Sequence, residues 1–274
     1  MKIIKKNKKI KIIILSIFIL ILLIGLYNGL KIRNYMIESE KITSPIRIVL
    51  VTDLHSCKYG EEEQELIQAV EEQNPDMIAL SGDIFDDENS DTNTEYFLKS
   101  VSKNYPCYYV TGNHEYYAGL KTYKDKMAIL EKYQVHVLAG TIETITINHQ
   151  EITICGVEDP ASGNFNKQFQ EIQKLLENND NYKILLSHRP ELFEDYVTAD
   201  FDLVLSGHAH GGQWRIPFIL NGLYAPNQGL FPKLAGGLYQ KENTTMIVSR
   251  GLARETTRIP RIYNRPELVV IDLE

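Results

Sequence analysis

The amino-acid sequence predicts an α/β domain preceded by one N-terminal transmembrane helix. Short apolar runs rich in β-branched residues alternate with amphipathic stretches of helical length, which is the pattern of an α/β protein. An uncharged apolar run near the N-terminus predicts the membrane helix. About 240 residues follow that run, enough for one domain of ordinary size or at most two.

The N-terminal segment is predicted to form a cytoplasmic basic tail (1–11), a transmembrane anchor (12–30) and a tether (31–45). Residues 12–30 carry no charge, and as a helix they span roughly 28 Å, close to the hydrocarbon thickness of a bilayer. Six lysines precede the run, whereas only Lys31 and Arg33 follow closely. The positive-inside rule then predicts a single-pass protein of the cell membrane with an extracytoplasmic body. A cleaved signal peptide is the alternative, but no small-x-small cleavage site follows the run.

Composition excludes several classes of protein. Residues 32–274 carry 22 basic and 36 acidic side chains, a formal charge of −14, so general nucleic-acid binding is not expected. A hydrophobic content of 43% supplies a core and excludes disorder. The three cysteines are few, odd in number and far apart, and they cannot form a disulfide framework.

The body contains two groups of predicted strands with helices between them. The first group is 46–52, 77–81, 107–111, 183–187 and 201–206. The second group is 135–138, 144–147, 152–157, 244–249 and 268–273. The predicted helices are 61–72, 95–103, 120–132 and 167–176.

Each strand of the first group is followed by side chains that can ligate a metal. In chain order these are Asp53 and His55, then Asp83 and Asp86, then Asn113 and His114, then His188, then His208 and His210. Ligand sites of α/β sheets lie at the carboxyl ends of strands. On extended backbone, residues two apart point the same way, so Asp53 and His55 are expected to converge on one metal. The same holds for the last pair, whereas Asn113 and His114 point apart, so one can ligate while the other faces substrate.

The types of these ligands narrow the chemistry. Two aspartates, one asparagine and four histidines form an oxygen and nitrogen set without thiolate, which suits Mn, Fe or Zn. The set is too large for one ion and large enough for two ions that share a bridging carboxylate. Two adjacent divalent ions form the clamp used for in-line displacement at phosphorus.

These motifs resemble the calcineurin-like metallophosphoesterases, whose signature is D-x-H, G-D-x-x-D, G-N-H-[DE], a lone histidine and G-H-x-H in that order. The residues after His210, with Val248-Ser249-Arg250-Gly251 and Arg265-Pro266-Glu267, resemble the bacterial membrane-bound or exported branch of that family. The resemblance covers 46–274, which we take as the catalytic domain. It implies a four-layer αββα sandwich with two mixed β-sheets.

The resemblance also implies a role for each site residue. Asp53, His55 and His210 would bind the first metal, and Asn113, His188 and His208 the second. Asp83 would bridge the two ions. His114 would be the catalytic histidine, held by Asp86.

The function expected from this resemblance is a membrane-anchored phosphohydrolase that uses a metal-bridging hydroxide for in-line attack on phosphorus. The family branch alone favours phosphodiesters. A phosphomonoesterase or phosphoprotein phosphatase on the same dimetal centre is the alternative, and a non-catalytic metal-binding homologue is less favoured because no ligand is lost. Lipid-derived and envelope-derived phosphoesters are the candidate substrates of an exported domain. The loop at 213–239, rich in apolar residues, is either packed over the sheet edge or a lid or membrane-facing lip.

Overall fold

The computed structural model describes residues 2–254 and 259–274, except for the side chains at 2–8, 10 and 18. Most side chains of the predicted basic tail therefore lie outside the description. The helices are α1 (Lys2–Gly25), α2 (Gln64–Glu71), α3 (Thr92–Val101), α4 (His114–Tyr117), α5 (Gly119–Lys132), α6 (Phe165–Leu175) and α7 (Phe193–Thr198). Short 3₁₀ turns lie at Glu61–Glu63, Pro160–Ser162, Pro190–Leu192 and His210–Gly212.

The first sheet has six strands in the described part of the chain, in the order β1-β14-β2-β3-β4-β5. These strands are β1 (Lys31–Ile37), β2 (Ile46–Val51), β3 (Met77–Ser81), β4 (Cys107–Val110), β5 (His136–Val137) and β14 (Glu267–Leu273). Strands β2 to β5 are mutually parallel, and β14 runs antiparallel to β2 but parallel to β1. The sheet is therefore mixed.

The second sheet also has six strands among the described residues, in the order β12-β13-β9-β8-β7-β6. These strands are β6 (Thr141–Ile147), β7 (Gln150–Gly156), β8 (Tyr182–Leu186), β9 (Leu203–Ser206), β12 (Gly237–Lys241) and β13 (Thr244–Val248). The central four are parallel, and β6 and β12 close the edges as antiparallel strands. A small ribbon pairs β10 (Tyr224–Ala225) with β11 (Gly229–Leu230).

Among the described residues, three apolar clusters order the molecule into layers. The inner cluster joins the facing sides of the two sheets, for example Ile48 and Leu50 with Ile184 and Leu186. A second cluster packs the outer face of the first sheet against α2, α3 and α5, and a third packs the second sheet against α6 and α7. Central strands are covered on both faces, which explains why they appear in the sequence as continuous apolar runs. The expected αββα arrangement with two mixed sheets is the one observed.

The N-terminal segment differs from its prediction. In the part of the chain that the structure describes, no helix has the length and apolar character needed to cross a membrane.

Helix α1 ends at Gly25, five residues before the end of the predicted span, where the Tyr263 N–H donates to the Gly25 carbonyl at 2.7 Å. The first part of the predicted tether is strand β1, paired in register with β14. We did not predict this strand because it lies at a half-exposed edge and carries charged residues, as edge strands commonly do.

Candidate metal centre

The predicted ligands lie together at the carboxyl ends of β2, β3, β4, β8 and β9. All seven side chains are buried: Asp53, His55, Asp83, Asn113, His188, His208 and His210. One potential ligand atom from each of Asp53, His55, Asp83 and His210 lies within 4.8 Å of the others. These are the residues predicted for the first metal together with the predicted bridge.

A second group shares Asp83 with the first. One atom each from Asp83, His188 and His208 also lies within 4.8 Å of the others. The Nε2 atom of His188 is 3.0 Å from Asp83 Oδ2, and His55 Nε2 is 3.7 Å from the same oxygen. Asp83 therefore stands between the two groups, where a carboxylate that bridges two ions would lie.

Four of the ligand atoms are buried and have no hydrogen-bond partner except one another among the described residues. They are His55 Nε2, Asp83 Oδ2, Asn113 Oδ1 and His188 Nε2. Buried polar atoms are nearly always paired, because an unpaired one costs about 1–3 kcal/mol. Four such atoms in one place fit metal ions, and the mixed carboxylate, amide and imidazole set fits two divalent ions.

Hydrogen bonds fix which nitrogen each ring offers. His188 Nδ1 lies 2.8 Å from the Ser81 carbonyl and His55 Nδ1 lies 3.1 Å from Asp86 Oδ2, so both rings donate there and present Nε2 to the centre. His208 differs, because its Nε2 lies 2.8 Å from both Asn227 Oδ1 and Arg189 Nη1 and is therefore occupied. Its Nδ1 is therefore the nitrogen left for a metal.

The electrostatics of the centre are those of a site that favours cations. Although burial favours the neutral ring, the hydrogen bond to Asp86 and the carboxylates of Asp83 and Asp53 raise the pKa of His55 to about 9. Burial is likewise outweighed at His188, where Asp83 raises the pKa to about 10. Asp83 is itself buried, yet the His188 imidazolium holds its pKa well below the usual range. The charged rings of His55 and His188 thus balance buried carboxylate charge, and divalent ions would replace their protons.

The backbone that presents these ligands differs from the expectation. Asp53, His55, His208 and His210 have left-handed φ values of 49°, 50°, 65° and 45°, so neither pair stands on extended backbone. The pairs converge on the centre by tight turns instead. Each such residue costs of order 1–3 kcal/mol and persists only where its surroundings fix it.

Glycines next to the ligands allow this close packing. A Cβ on Gly112 would overlap Asp83 Oδ1, and a Cβ on Gly207 would overlap Asp53 Oδ2. Neither glycine has a positive φ, so the requirement is for space and not for conformational freedom.

Glu115 is a site residue whose role we did not predict. Its buried carboxylate accepts the backbone N–H groups of Gly112 at 2.7 Å, Ile84 at 3.0 Å, Phe85 at 3.1 Å and Asp83 at 3.2 Å. Burial and the nearby Asp83 raise its pKa to about 7. Glu115 therefore ties the loop that carries the bridging ligand to the loop that carries Asn113. The sequence signal for Glu115 is that it occupies the acidic fourth position of the G-N-H-[DE] motif.

The partner of His114 differs from the prediction. His114 Nδ1 lies 2.5 Å from Asp87 Oδ1 and 3.8 Å from Asp86 Oδ2. Asp86 is occupied elsewhere, because its Oδ1 accepts three N–H groups from Glu88 and Asn89 and its Oδ2 accepts from His55. Asp87 is therefore the nearer carboxylate to His114, whereas Asp86 contacts His114 only as the longer ion pair and also orients the ligand His55.

Arg189 and Asn227 extend the site around His208. Arg189 Nη1 lies 2.8 Å from His208 Nε2 and 2.6 Å from Asn227 Oδ1, and its guanidinium is paired in bidentate fashion with Asp159. Asn227 belongs to the irregular loop after the last ligand motif. No sequence signal marked it, because that loop has neither helical nor strand periodicity.

Comparison with known proteins agrees with this geometry. Residues 46–212 match the calcineurin-like phosphoesterase family. An uncharacterized metallophosphoesterase of Campylobacter jejuni is 31% identical over 97% of this chain and 69% of its own length. One from Aquifex aeolicus is 30% identical over 92% of this chain and 97% of its own length. Among solved structures, a dimetal phosphatase from Danio rerio aligns over 76% of this chain and 88% of its own, with 11% identity and a TM-score of 0.51.

The chain belongs to the calcineurin-like phosphoesterase family. With its cluster of potential metal ligands, it is a metal-dependent phosphoester hydrolase of that superfamily.

Proposed function

We propose that this protein is a phosphodiesterase with a dinuclear metal centre, attached to the cell membrane by its N-terminal segment. The observation that carries the proposal is the convergence of unpaired ligand atoms on Asp83 from both sides. Asp53, His55 and His210 would hold one ion, and Asn113, His188 and His208 the other. When bound, such ions polarise the phosphoryl oxygens and activate water for in-line attack.

The side chains of this chain supply the positioning and the proton transfer. His114 is partly exposed beside the buried ligands, so its ring can reach a substrate. Its Nδ1 faces Asp87, and this contact leaves Nε2 to protonate the departing oxygen. Asp86 and Ser81 hold the ligand rings of His55 and His188 in the tautomer that a metal requires.

Two described arginines near the centre have other partners, and this favours diesters over monoesters. Arg189 is committed to Asp159, and Arg261 donates to the Ala253 and Arg250 carbonyls at 2.8 Å. Neither guanidinium is free to pair with the second negative charge that a monoester carries near neutral pH. A diester has only one charge, which the two ions and His114 can balance.

The proposed membrane attachment rests on the N-terminal segment. Apolar side chains of α1, such as Ile14, Leu20 and Leu23, are exposed along the helix, and residues 12–30 carry no charge. The preceding lysines favour a cytoplasmic N-terminus and an extracytoplasmic domain. Protease added to intact, wall-stripped cells should digest the domain, and protection until the membrane is lysed would contradict this orientation.

The activity is tested with metal-depleted protein reloaded with Mn, Fe or Zn in turn. Hydrolysis of bis(p-nitrophenyl) phosphate is compared with hydrolysis of p-nitrophenyl phosphate at equal concentration. We expect metal-dependent turnover with a higher kcat/KM for the diester. A higher kcat/KM for the monoester would favour a phosphomonoesterase, and absence of turnover with both ions bound would favour a metal-binding homologue.

A further inference from the structure

The loop after the last metal ligand lies at the same edge of the molecule as the end of helix α1. This loop begins after the carboxyl end of β9. It ends at Gly237, which pairs with Val248 at the carboxyl end of β13. Strand β1 begins at Lys31, which pairs with Glu267 at the start of β14. Because β14 runs antiparallel to β2, the start of both strands lies beside the carboxyl end of β2. The metal centre, the loop and the exit of α1 therefore share one edge.

A chain of direct contacts joins α1 to the loop. The Tyr263 hydroxyl donates to the Ile21 carbonyl at 2.6 Å, near the end of α1. The preceding residue, Ile262, forms a parallel bridge with Trp214, and the Arg215 N–H donates to the Ile262 carbonyl at 2.9 Å. The Trp214 indole donates to Pro260 at 3.0 Å. The loop is thus anchored beside the apolar helix.

The loop presents an apolar lip to solvent. We define the lip as Trp214, Ile216, Phe218, Ile219, Leu230 and Phe231. Phe218 is fully exposed and Ile219 is 83% exposed, and Leu230 and Phe231 are about two-thirds exposed. Phe218 and Phe231 are also held at left-handed φ values of 65° and 57°. Exposure of several large apolar groups on one loop, two of them on strained backbone, is typical of an interaction surface.

Basic side chains gather beside the lip although the body as a whole is acidic. Arg33 and Arg250 lie 3.7 and 3.4 Å from a single buried carboxylate, Glu267. Lys31 is close to Arg33 in sequence and pairs with Glu267 in the sheet. The Arg265 guanidinium stacks over the exposed ring of Tyr27, 4.8 Å from its centroid. Three cations beside Glu267, together with Arg265 next to Tyr27, leave a local positive charge, which suits anionic lipid head groups.

We propose that the lip docks into the outer surface of a lipid bilayer, with Phe218, Ile219, Leu230 and Phe231 below the head groups. Trp214 and Tyr27 would lie at the head-group level, where amphipathic aromatic rings are favoured. Two observations favour a bilayer over a second copy of the chain. The lip is continuous with the apolar helix α1, and cations lie near the end of that helix. The proposal rests on the membrane attachment proposed above. In the docked state the metal centre would open at the level of the lipid phosphates.

The test uses Trp214, the single tryptophan of the chain, as its probe. Full-length protein is reconstituted into vesicles of phosphatidylglycerol and phosphatidylethanolamine whose acyl chains are brominated near the head group. Emission is compared with that in unbrominated vesicles of the same composition. We expect bromine to quench Trp214, and the vesicles to shield it from dissolved iodide. A Trp214 that bromine does not quench and iodide reaches would overturn the proposal.

Matched variants separate docking of the lip from the nearness of α1. Burying each exposed apolar side chain favours the docked state by about tenfold or more, so Phe218→Ser with Ile219→Ser should lower bromine quenching several-fold. Leu175→Ser removes an equally apolar, exposed side chain at the far end of α6, near the amino ends of the strands, and should leave quenching unchanged.

Two outcomes would contradict the proposal in different ways. Equal quenching in the double variant and the parent protein would show that α1 alone brings Trp214 to the lipid. A blue shift of the emission that grows with protein concentration and needs no lipid would assign the lip to a second copy. Hydrolysis of bis(p-nitrophenyl) phosphate, measured on the same samples, reports on the proposed activity and is independent of docking.

Discussion

Replacing Asp87 by asparagine removes the negative charge beside His114 and keeps the side-chain shape. The amide oxygen of the new side chain can still accept from His114 Nδ1, so the change weakens a charge-assisted hydrogen bond without displacing the ring. Such a bond contributes about 1.5–3 kcal/mol. The two side chains are 30% and 22% exposed, which places the loss at the lower end of that range. We therefore expect kcat to fall about tenfold, since 1.36 kcal/mol corresponds to a factor of ten.

The neighbouring variant Asp86→Asn is the matched control. An amide cannot accept on both sides, so either His55 or the Asn89 loop loses its acceptor. The expected result is a loss of metal affinity of about 10–100-fold, the usual effect of removing the hydrogen-bond partner of a ligand. The benchmark is His114→Ala, for which a loss in kcat of roughly 10²–10⁴ is expected with both metals retained.

The assay measures kcat and bound metal together for each variant. Hydrolysis is followed with bis(p-nitrophenyl) phosphate and with a dialkyl phosphodiester, whose poor leaving group needs protonation more. Asp87→Asn should affect the dialkyl substrate more strongly at full metal occupancy. The reasoning is refuted if Asp87→Asn is silent while Asp86→Asn lowers kcat with both metals bound, because Asp86 would then be the residue that holds His114.

Three other predictions concern the centre itself. Asp83→Asn should lower the occupancy of both metals and cost more activity than any other single ligand change; retained activity with two bound metals would exclude a bridging role. Glu115→Gln should lower the free energy of unfolding by about 2 kcal/mol at pH 8, because an amide turns a donor toward backbone N–H groups; an unchanged urea midpoint would contradict this. Metal binding should release close to two protons near neutral pH, because His55 and His188 must deprotonate before they can ligate. For the same reason, metal affinity should increase as pH rises toward about 9 to 10. Calorimetry in buffers of different ionisation enthalpy measures the release, and an affinity independent of pH in this range would contradict it.

The sequence could predict those parts of the site that depend on the strand order. Buried central strands appear as short apolar runs, and the residue after each run necessarily lies at the carboxyl edge of the sheet. That is why Asp53, Asp83 and His188, which are far apart in the chain, could be expected to meet. The parallel strands of both sheets follow the same logic, whereas β6, β12 and β14 add the antiparallel pairs that make the sheets mixed.

Local backbone geometry could not be predicted in this way. An i, i+2 spacing is compatible with extended backbone and with two left-handed turns, and only the surroundings of Asp53 and His55 select the second. Likewise, Asp86 and Asp87 are adjacent and chemically identical. Which of them contacts His114 depends on the Asn89 turn that already occupies Asp86.

Edge elements and irregular loops give weak sequence signals for a different reason. Strand β1 is half-exposed and charged, so the alternation of apolar and polar residues is obscured in its sequence. Pairing with β14, and not its own composition, determines its place in the sheet. Asn227 reaches His208 from a loop whose path is set by tertiary contacts. The end of α1 at Gly25 likewise depends on the contact with Tyr263, which lies far away in the chain.

The central claim is that two divalent ions share Asp83 at this site. Anomalous diffraction from crystals of the protein loaded with Mn or Zn tests it most directly. The account predicts two anomalous peaks about 3.5–4 Å apart, with Asp83 within coordination distance of both. Asp53, His55 and His210 should surround one peak, and Asn113, His188 and His208 the other. A single peak, or two peaks that do not share Asp83, would contradict the account.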